Sequence, residues 1–215
     1  MNDTTNTSTI EKSVLATLRS LSPTRDDISF SDALRVAELQ ANTLLRLHGI
    51  TTWPVPREVI SELPKIRILP SSNAADGANF WDWRSKQWII LLNRADSWRR
   101  QRFTLAHEYK HIIDHPNRAR LYHGTLADRH AEQAADYFAG CLLVPRRLLK
   151  RAWGNGIQRQ DELARAFNVS EQAIRVRLRQ TGLVMPTDTP FARRCRPTAR
   201  GRFDYARTPA LQGGF

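Results

Sequence analysis

The sequence predicts an α+β fold: a helical domain with a small antiparallel three-stranded sheet, followed by a helix-turn-helix-like helical module. Apolar residues recur at helical spacing in several segments, and short apolar stretches between residues 65 and 92 are separated by turn residues. Residues 161–179 have the pattern of two short helices joined by a turn. With 215 residues, 41% of them hydrophobic, the chain suits one large domain or two small ones.

The first helices are predicted from capping residues and apolar spacing. A capping box at Ser8 predicts a short amphipathic helix that ends before Pro23. Ser31 is predicted to cap a second helix that ends near Gly49, and Pro54 and Pro56 precede a third, short helix near residues 57–62.

Three β-strands are predicted next, near residues 66–68, 80–83 and 88–92. The connection at 84–86 is short enough for an antiparallel hairpin, and the continuous apolar run at 88–92 indicates a central or core-facing strand. The tryptophans are expected to pack in the core or on the sheet face rather than to form a ligand-stacking platform.

Helical patterns return after the strands. A long helix is predicted over residues 97–111 and another over 127–143, which Pro145 ends. Two short helices are predicted over 146–153 and 160–167.

The pentamer His107-Glu108-Tyr109-Lys110-His111 lies within the helix at 97–111. At 3.6 residues per turn, both histidines project from one face and can ligate one Zn²⁺, while Glu108 can reach a metal-bound water. The sequence therefore predicts one zinc ion per chain, with Glu108 as the general base.

A catalytic zinc site usually takes a third protein ligand. Asp114 and Asn117 stand where the metzincin pattern requires Gly and His, so that class is excluded. Glu132 is the predicted third ligand, and Asp136, four residues later on the same helix face, is predicted to accept a hydrogen bond from a zinc-bound imidazole. The competing ligands are His115, His123 and His130.

Two blocks of sequence, residues 102–111 and residues 132–145, resemble the ImmA/IrrE family of zinc metallopeptidases in order and spacing. The resemblance covers roughly residues 30–185 and implies a zincin-like domain in which His107, His111 and Glu132 bind the metal and Glu108 is the catalytic base. Tyr109-Lys110 replaces the usual Leu-Gly of the family. A lysine pointing inward there would oppose the charge of the metal, whereas a solvent-facing lysine would not.

The expected chemistry is zinc-assisted amide hydrolysis. The resemblance implies limited proteolysis of a protein substrate, typically a helix-turn-helix transcriptional repressor. A general proteinase is disfavoured, because unrestricted proteolysis in the cytoplasm would need containment and no propeptide-like segment is evident. The oxyanion-stabilising partner is unknown, and its candidates are Tyr109, Tyr122, His123 and Tyr137.

The net charge of +12 is concentrated near the C-terminus. Residues 1–145 hold 18 basic and 16 acidic residues, whereas residues 146–215 hold 15 and 5. Ser170 is predicted to cap the second helix of the helix-turn-helix, although a strand over 174–179 is an alternative. Three arginines of this segment are candidate nucleic-acid or partner contacts: Arg175, Arg177 and Arg179.

These basic residues support a rival hypothesis, a DNA-binding transcriptional regulator whose zinc site is structural or vestigial. A cytoplasmic location without membrane contact is expected, because neither a bilayer-spanning apolar run nor a signal-peptide layout is seen. Cys141 and Cys195 indicate neither a disulfide nor a thiolate zinc site. Four regions are predicted: an N-terminus with a short helix at 1–25, the peptidase domain at 26–145, the helix-turn-helix-like module at 146–185 and a disordered basic tail at 186–215.

Overall fold

A computed structural model describes residues 13–26, 28–72 and 77–184 of the protein. The predicted capping box at Ser8, the basic tail and Cys195 lie outside these residues. The helices are α1 (Val14–Arg19), α2 (Phe30–Leu47), α3 (Glu58–Ser61), α4 (Trp98–Asp114), α5 (Arg118–Leu121), α6 (Ala127–Leu143), α7 (Arg146–Gly154), α8 (Gln160–Phe167) and α9 (Glu171–Gln180). The strands are β1 (Ile66–Ser71), β2 (Ala78–Asp82) and β3 (Gln87–Asn93).

Serine side chains cap several of these helices. Ser97 Oγ accepts a hydrogen bond from the backbone N–H of Arg100 and so fixes the start of α4. The predicted cap of α2 was wrong, because Ser29 accepts from the backbone N–H of Asp32 while Ser31 lies inside the helix. Two serines stand close together there, and the helix begins at the earlier one.

The sheet has the strand order β1-β3-β2, so β3 is central as its apolar run predicts. Strands β2 and β3 form the predicted antiparallel hairpin, but β1 runs parallel to β3. The sheet is therefore mixed, and the prediction of a fully antiparallel sheet was wrong. Only β2 is joined to β3 by a short hairpin connection, which requires antiparallel pairing, whereas β1 pairs with a strand that does not follow it directly in sequence.

The tryptophans of this sheet have different environments. Trp88 is buried and Trp81 packs against the core, as expected of sheet-face packing. Trp83 is 82% exposed and meets Trp81 edge-on, so the expectation of a packed side chain was wrong for this residue. Trp83 follows the end of β2, where the strand no longer holds a side chain against the core.

The main hydrophobic core lies among α2, α4, α6 and the sheet. Helix α6 packs against both α2 and α4. Its buried residues include Ala134, Ala135, Ala139 and Gly140, whose small volume lets the neighbouring helices approach closely. This packing sets the polar side chains of α6 beside α4. No helix within 13–26, 28–72 or 77–184 has the length and apolar character needed to cross a bilayer.

A second hydrophobic cluster joins α7, α8 and α9. Phe167 at its centre stacks on Trp53 at a centroid distance of 5.6 Å. Residues 168–170 connect α8 to α9, with Asn168 in the left-handed conformation and Ser170 capping α9. Residues 174–179 are helical, so the strand alternative was wrong. The predicted region boundaries remain predictions.

Candidate metal centre

Helix α4 sets two imidazoles one turn apart on one face. His107 is 4% exposed, and its Nε2 lies 3.1 Å from Nε2 of His111. The i, i+4 spacing stacks the two side chains along the helix, and the Ser97 cap fixes where that helix begins.

A carboxylate from α6 completes the cluster. Glu132 Oε2 lies 3.3 Å from His107 Nε2, and Oε1 lies 3.4 Å from His111 Nε2. One ligand atom from each residue can be chosen so that all three lie within 4.8 Å of one another. Helices α4 and α6 therefore bring together three side chains whose sequence positions lie up to 25 apart.

The residues fit Zn²⁺ in both chemistry and spacing. Zinc binds imidazole nitrogen and carboxylate oxygen at about 2.0–2.2 Å, so neighbouring ligands of a tetrahedral ion lie about 3.3 Å apart. The 3.1 Å between the two imidazole nitrogens agrees with this value. Each imidazole nitrogen also has a Glu132 oxygen at 3.3 or 3.4 Å, although the two contacts use different oxygens of that carboxylate. Two histidines and one carboxylate also leave a fourth position for water or substrate, as catalytic zinc sites do.

Asp136 holds the outer nitrogen of the buried histidine. His107 Nδ1 lies 2.8 Å from Asp136 Oδ1, so Nε2 is the nitrogen that faces His111 and Glu132. Burial disfavours the charged ring, but hydrogen bonds to Asp136 and Glu132 outweigh it and raise the pKa of His107 to about 9. Hydrogen bonds from the two histidines in turn hold the pKa of Glu132 well below its usual range.

Glu108 lies beside this cluster and is 5% exposed. Its Oε2 accepts a hydrogen bond from Asn79 Nδ2 at 2.7 Å. Glu108 Oε1 lies close to Gly77, where an added Cβ would come within 3.2 Å of that oxygen. Neither Asn79 nor Gly77 was predicted from the sequence. The signal that could have identified Asn79 is a polar residue two positions before Trp81, and so on the same face of the strand as that packed tryptophan.

Comparisons with known proteins identify the family of the chain. Residues 62–179 match the family model Peptidase_M78, the IrrE N-terminal-like domain, which is more than half of the chain. The chain belongs to the ImmA/IrrE family. No curated protein is significantly similar to it.

One solved structure similar to this ImmA/IrrE family member is a Mycobacterium tuberculosis transcriptional regulator. The two chains share 19% sequence identity with a TM-score of 0.49. The alignment covers 78% of this chain and 52% of the regulator, so the chain spans about half the length of that protein.

The departure from the family pattern at Lys110 has a local compensation. Lys110 is 1% exposed, so it points inward. Its Nζ donates to Asp114 Oδ1 at 2.6 Å and to Gln40 Oε1 at 2.7 Å. Tyr122 donates to the second oxygen of Asp114 at 2.6 Å. The lysine charge is therefore paired within the protein. Lys110, Asp114, Gln40 and Tyr122 are called the lysine cluster below.

The candidates for oxyanion stabilisation have different environments in the structure. The candidates are Tyr109, Tyr122, His123 and Tyr137. Tyr122 donates to Asp114 in the lysine cluster, and Tyr137 donates to Glu38 Oε2 at 3.0 Å. Tyr109 is fully buried in the core, and His123 is exposed. The hydroxyl groups of Tyr122 and Tyr137 therefore donate to carboxylates within the protein, and a role for any of the four in oxyanion stabilisation stays a prediction.

The competing histidines lie outside the cluster of metal-ligating atoms found in the described part of the chain. The exposed His115 meets the ring of Trp88 edge-on at 5.1 Å, and His130 stacks on Phe30 at 4.2 Å. His123 is exposed. None of these three histidines is therefore part of the cluster formed by His107, His111 and Glu132.

The three arginines of α9 differ in exposure. Arg175 and Arg179 are exposed, whereas Arg177 is 2% exposed. Arg177 donates to the carbonyl of Val144 at 3.2 Å and lies over the ring of Tyr137 at 5.7 Å. The prediction that Arg177 contacts a nucleic acid or a partner was therefore wrong, because its buried guanidinium joins α9 to α6 and to Val144, which follows α6.

Proposed function

We propose that this protein is a zinc-dependent endopeptidase that performs limited proteolysis of a protein substrate. One observation carries the proposal: one ligand atom each of His107, His111 and Glu132 lie within 4.8 Å of one another, beside the Glu108 carboxylate. One zinc ion per chain is expected. The family match supports a peptidase independently of this geometry.

The residues of the site have distinct roles in the proposed reaction. Zinc, when bound by His107, His111 and Glu132, lowers the pKa of a water molecule and polarises a carbonyl group. Glu108 accepts the proton of the attacking water and delivers it to the leaving amine. Asp136 keeps the Nε2 lone pair of His107 directed at the metal position.

The substrate we propose is a helix-turn-helix transcriptional repressor, cleaved at a limited number of sites in an antirepressor or stress response. The resemblance to the ImmA/IrrE family supports this substrate class, and the setting proposed is the cytoplasm, where such repressors act.

Cleavage of candidate repressors by zinc-loaded protein tests the proposal. We expect discrete fragments by mass spectrometry with the wild type, and none after chelation or with Glu108→Gln, which keeps all three proposed ligands. Glu62→Gln makes the same chemical change at an exposed carboxylate and should cleave normally. Intact repressors in the presence of fully zinc-loaded wild type would contradict the substrate, and cleavage by Glu108→Gln would contradict the mechanism.

A second candidate function is DNA binding by the C-terminal region. The excess of 15 basic over 5 acidic residues in 146–215, and the exposure of Arg175 and Arg179, favour it. This function predicts affinity that falls steeply with salt, with a log–log slope that decreases by about one for each phosphate-contacting arginine removed. Arg175→Ala and Arg179→Ala should therefore weaken binding, and Glu108→Gln should not. Binding that is insensitive to both arginine variants would contradict this function.

A further inference from the structure

Strand β2 and the glycine just before it lie against the Glu108 carboxylate. Asn79 Nδ2 lies 2.7 Å from Glu108 Oε2. A Cβ added at Gly77 would collide with the methyl group of Thr104 and come within 3.2 Å of Glu108 Oε1. The absence of a side chain at Gly77 thus lets the strand approach α4 closely enough for Asn79 to reach Glu108.

The position of Asn79 is fixed by the sheet. Asn79 pairs with the fully buried Ile90 of the central strand, and its neighbour Phe80 is 48% exposed. Because side chains alternate across a strand, Asn79 faces α4 while Phe80 faces away. The amide is therefore held in place before any substrate binds. It lies on an edge strand that pairs with β3.

We propose that Asn79 is a positioning residue for the catalytic base, a step that rests on the peptidase function proposed above. Its Nδ2 donates to Glu108 Oε2, which leaves Oε1 as the oxygen that takes the proton from water. When Glu108 is protonated at Oε1, its Oε2 can still accept the hydrogen bond from Asn79. One hydrogen bond thus keeps Glu108 in the same orientation while it receives the proton and while it returns it to the leaving amine.

The kinetic test compares Asn79→Ala and Asn79→Asp with Phe80→Ala, using zinc-loaded protein and a peptide cleaved by the wild type. Misplacing a catalytic group by about 1 Å can cost about a hundredfold in rate. We expect Asn79→Ala to lower kcat at least about tenfold, with KM and zinc content unchanged. Asn79→Asp should lose more, because it sets a second carboxylate against Glu108. Phe80→Ala changes the adjacent, outward-facing residue and should retain kcat within about twofold.

A second readout does not depend on activity. Urea unfolding of the zinc-loaded wild type, Asn79→Ala, Glu108→Ala and the double variant forms a double-mutant cycle. A hydrogen bond to a charged group should give a coupling of about tenfold or more in the unfolding equilibrium constant. Additive effects would show that the two side chains do not interact, and would overturn the inference.

The outcomes separate this inference from the proposed function. An active wild type with an equally active Asn79→Ala variant would overturn the positioning role alone. A variant that raises KM with kcat unchanged would also overturn it, because Asn79 would then bind substrate instead. A zinc-loaded wild type that cleaves no peptide would overturn the peptidase function, and the positioning role of Asn79 with it.

Discussion

Helix α4 contributes to two polar clusters, one in which the charges are buried and paired with each other and one in which they are partly exposed. In the lysine cluster, the side chains of Lys110 and Asp114 are 1% and 4% exposed, and a charged donor meets a charged acceptor within 2.6 Å. In the metal cluster, formed by His107, His111 and Glu132, the side chains are 5%, 16% and 43% exposed. Its members are potential ligands of one cation.

The difference shows that one helix can be held in place by a buried ion pair and still present potential metal ligands. Burial lowers the pKa of Lys110, and Asp114 opposes that shift by stabilising the ammonium. Gln40 of α2 and Tyr122, just after α5, complete the hydrogen bonds, so the cluster ties α4 to its neighbours. The metal cluster instead leaves ligand atoms directed at a shared position. We infer that the lysine cluster supports the helix and that the metal cluster performs the chemistry.

The largest expected effect comes from removing the carboxylate of the lysine cluster. Asp114→Ala leaves the Lys110 ammonium buried without its counterion, which should lower the free energy of unfolding by about 3–5 kcal/mol. Urea unfolding measures this change. Asp128→Ala is the matched control, because Asp128 forms an ion pair with Arg118 but its side chain is 95% exposed, so the unfolding midpoint should stay unchanged. An Asp114→Ala protein as stable as the wild type would contradict a closed ion pair.

A smaller effect is expected from loosening the metal cluster without removing a ligand. Asp136→Ala removes the acceptor of His107 Nδ1 and should weaken zinc binding by about 10–100-fold. Competition with a chelator of known affinity measures the loss, and Asp128→Ala on the same helix again serves as the control. Unchanged zinc affinity would show that Asp136 does not orient the ligand.

Tyr122→Phe should separate the two clusters. It removes one hydrogen bond to the buried Asp114 carboxylate while Lys110 stays paired, so stability should fall by about 1.5 kcal/mol. The zinc affinity should equal that of the wild type. Loss of zinc binding in Tyr122→Phe would mean that the clusters are coupled and that the comparison between them fails.

The smallest effect is expected at His115. Its exposed ring packs edge-on against Trp88, outside the metal cluster, so His115→Ala should retain both the zinc stoichiometry and the affinity. A reduced zinc content would make His115 a ligand and would reverse the assignment of the third position.

The sequence predicted features that depend on local spacing. The i, i+4 histidines, the helix bounds of Ala127–Leu143 and the antiparallel hairpin all follow from patterns within a short window. The contact between His107 and Asp136 could also be expected, because the spacing of Glu132 and Asp136 sets both on one helix face.

Contacts between distant segments could not be predicted in this way. Gln40 lies 70 residues from Lys110, and Asn79 lies 29 residues from Glu108, so no periodic pattern links either pair. Strand β1 pairs with β3 rather than with β2, its neighbour in sequence, so no hairpin turn determines its direction. The burial of Arg177 depends on α6, where Gly140 leaves room for its side chain.

The central claim is that His107, His111 and Glu132 bind one zinc ion. Elemental analysis of the purified wild type beside His111→Ala and Glu132→Ala at neutral pH tests it most directly. We predict about one zinc per wild-type chain and almost none in either variant, because each removes one of three ligands. A wild type without zinc, or variants that keep one zinc per chain, would contradict the claim.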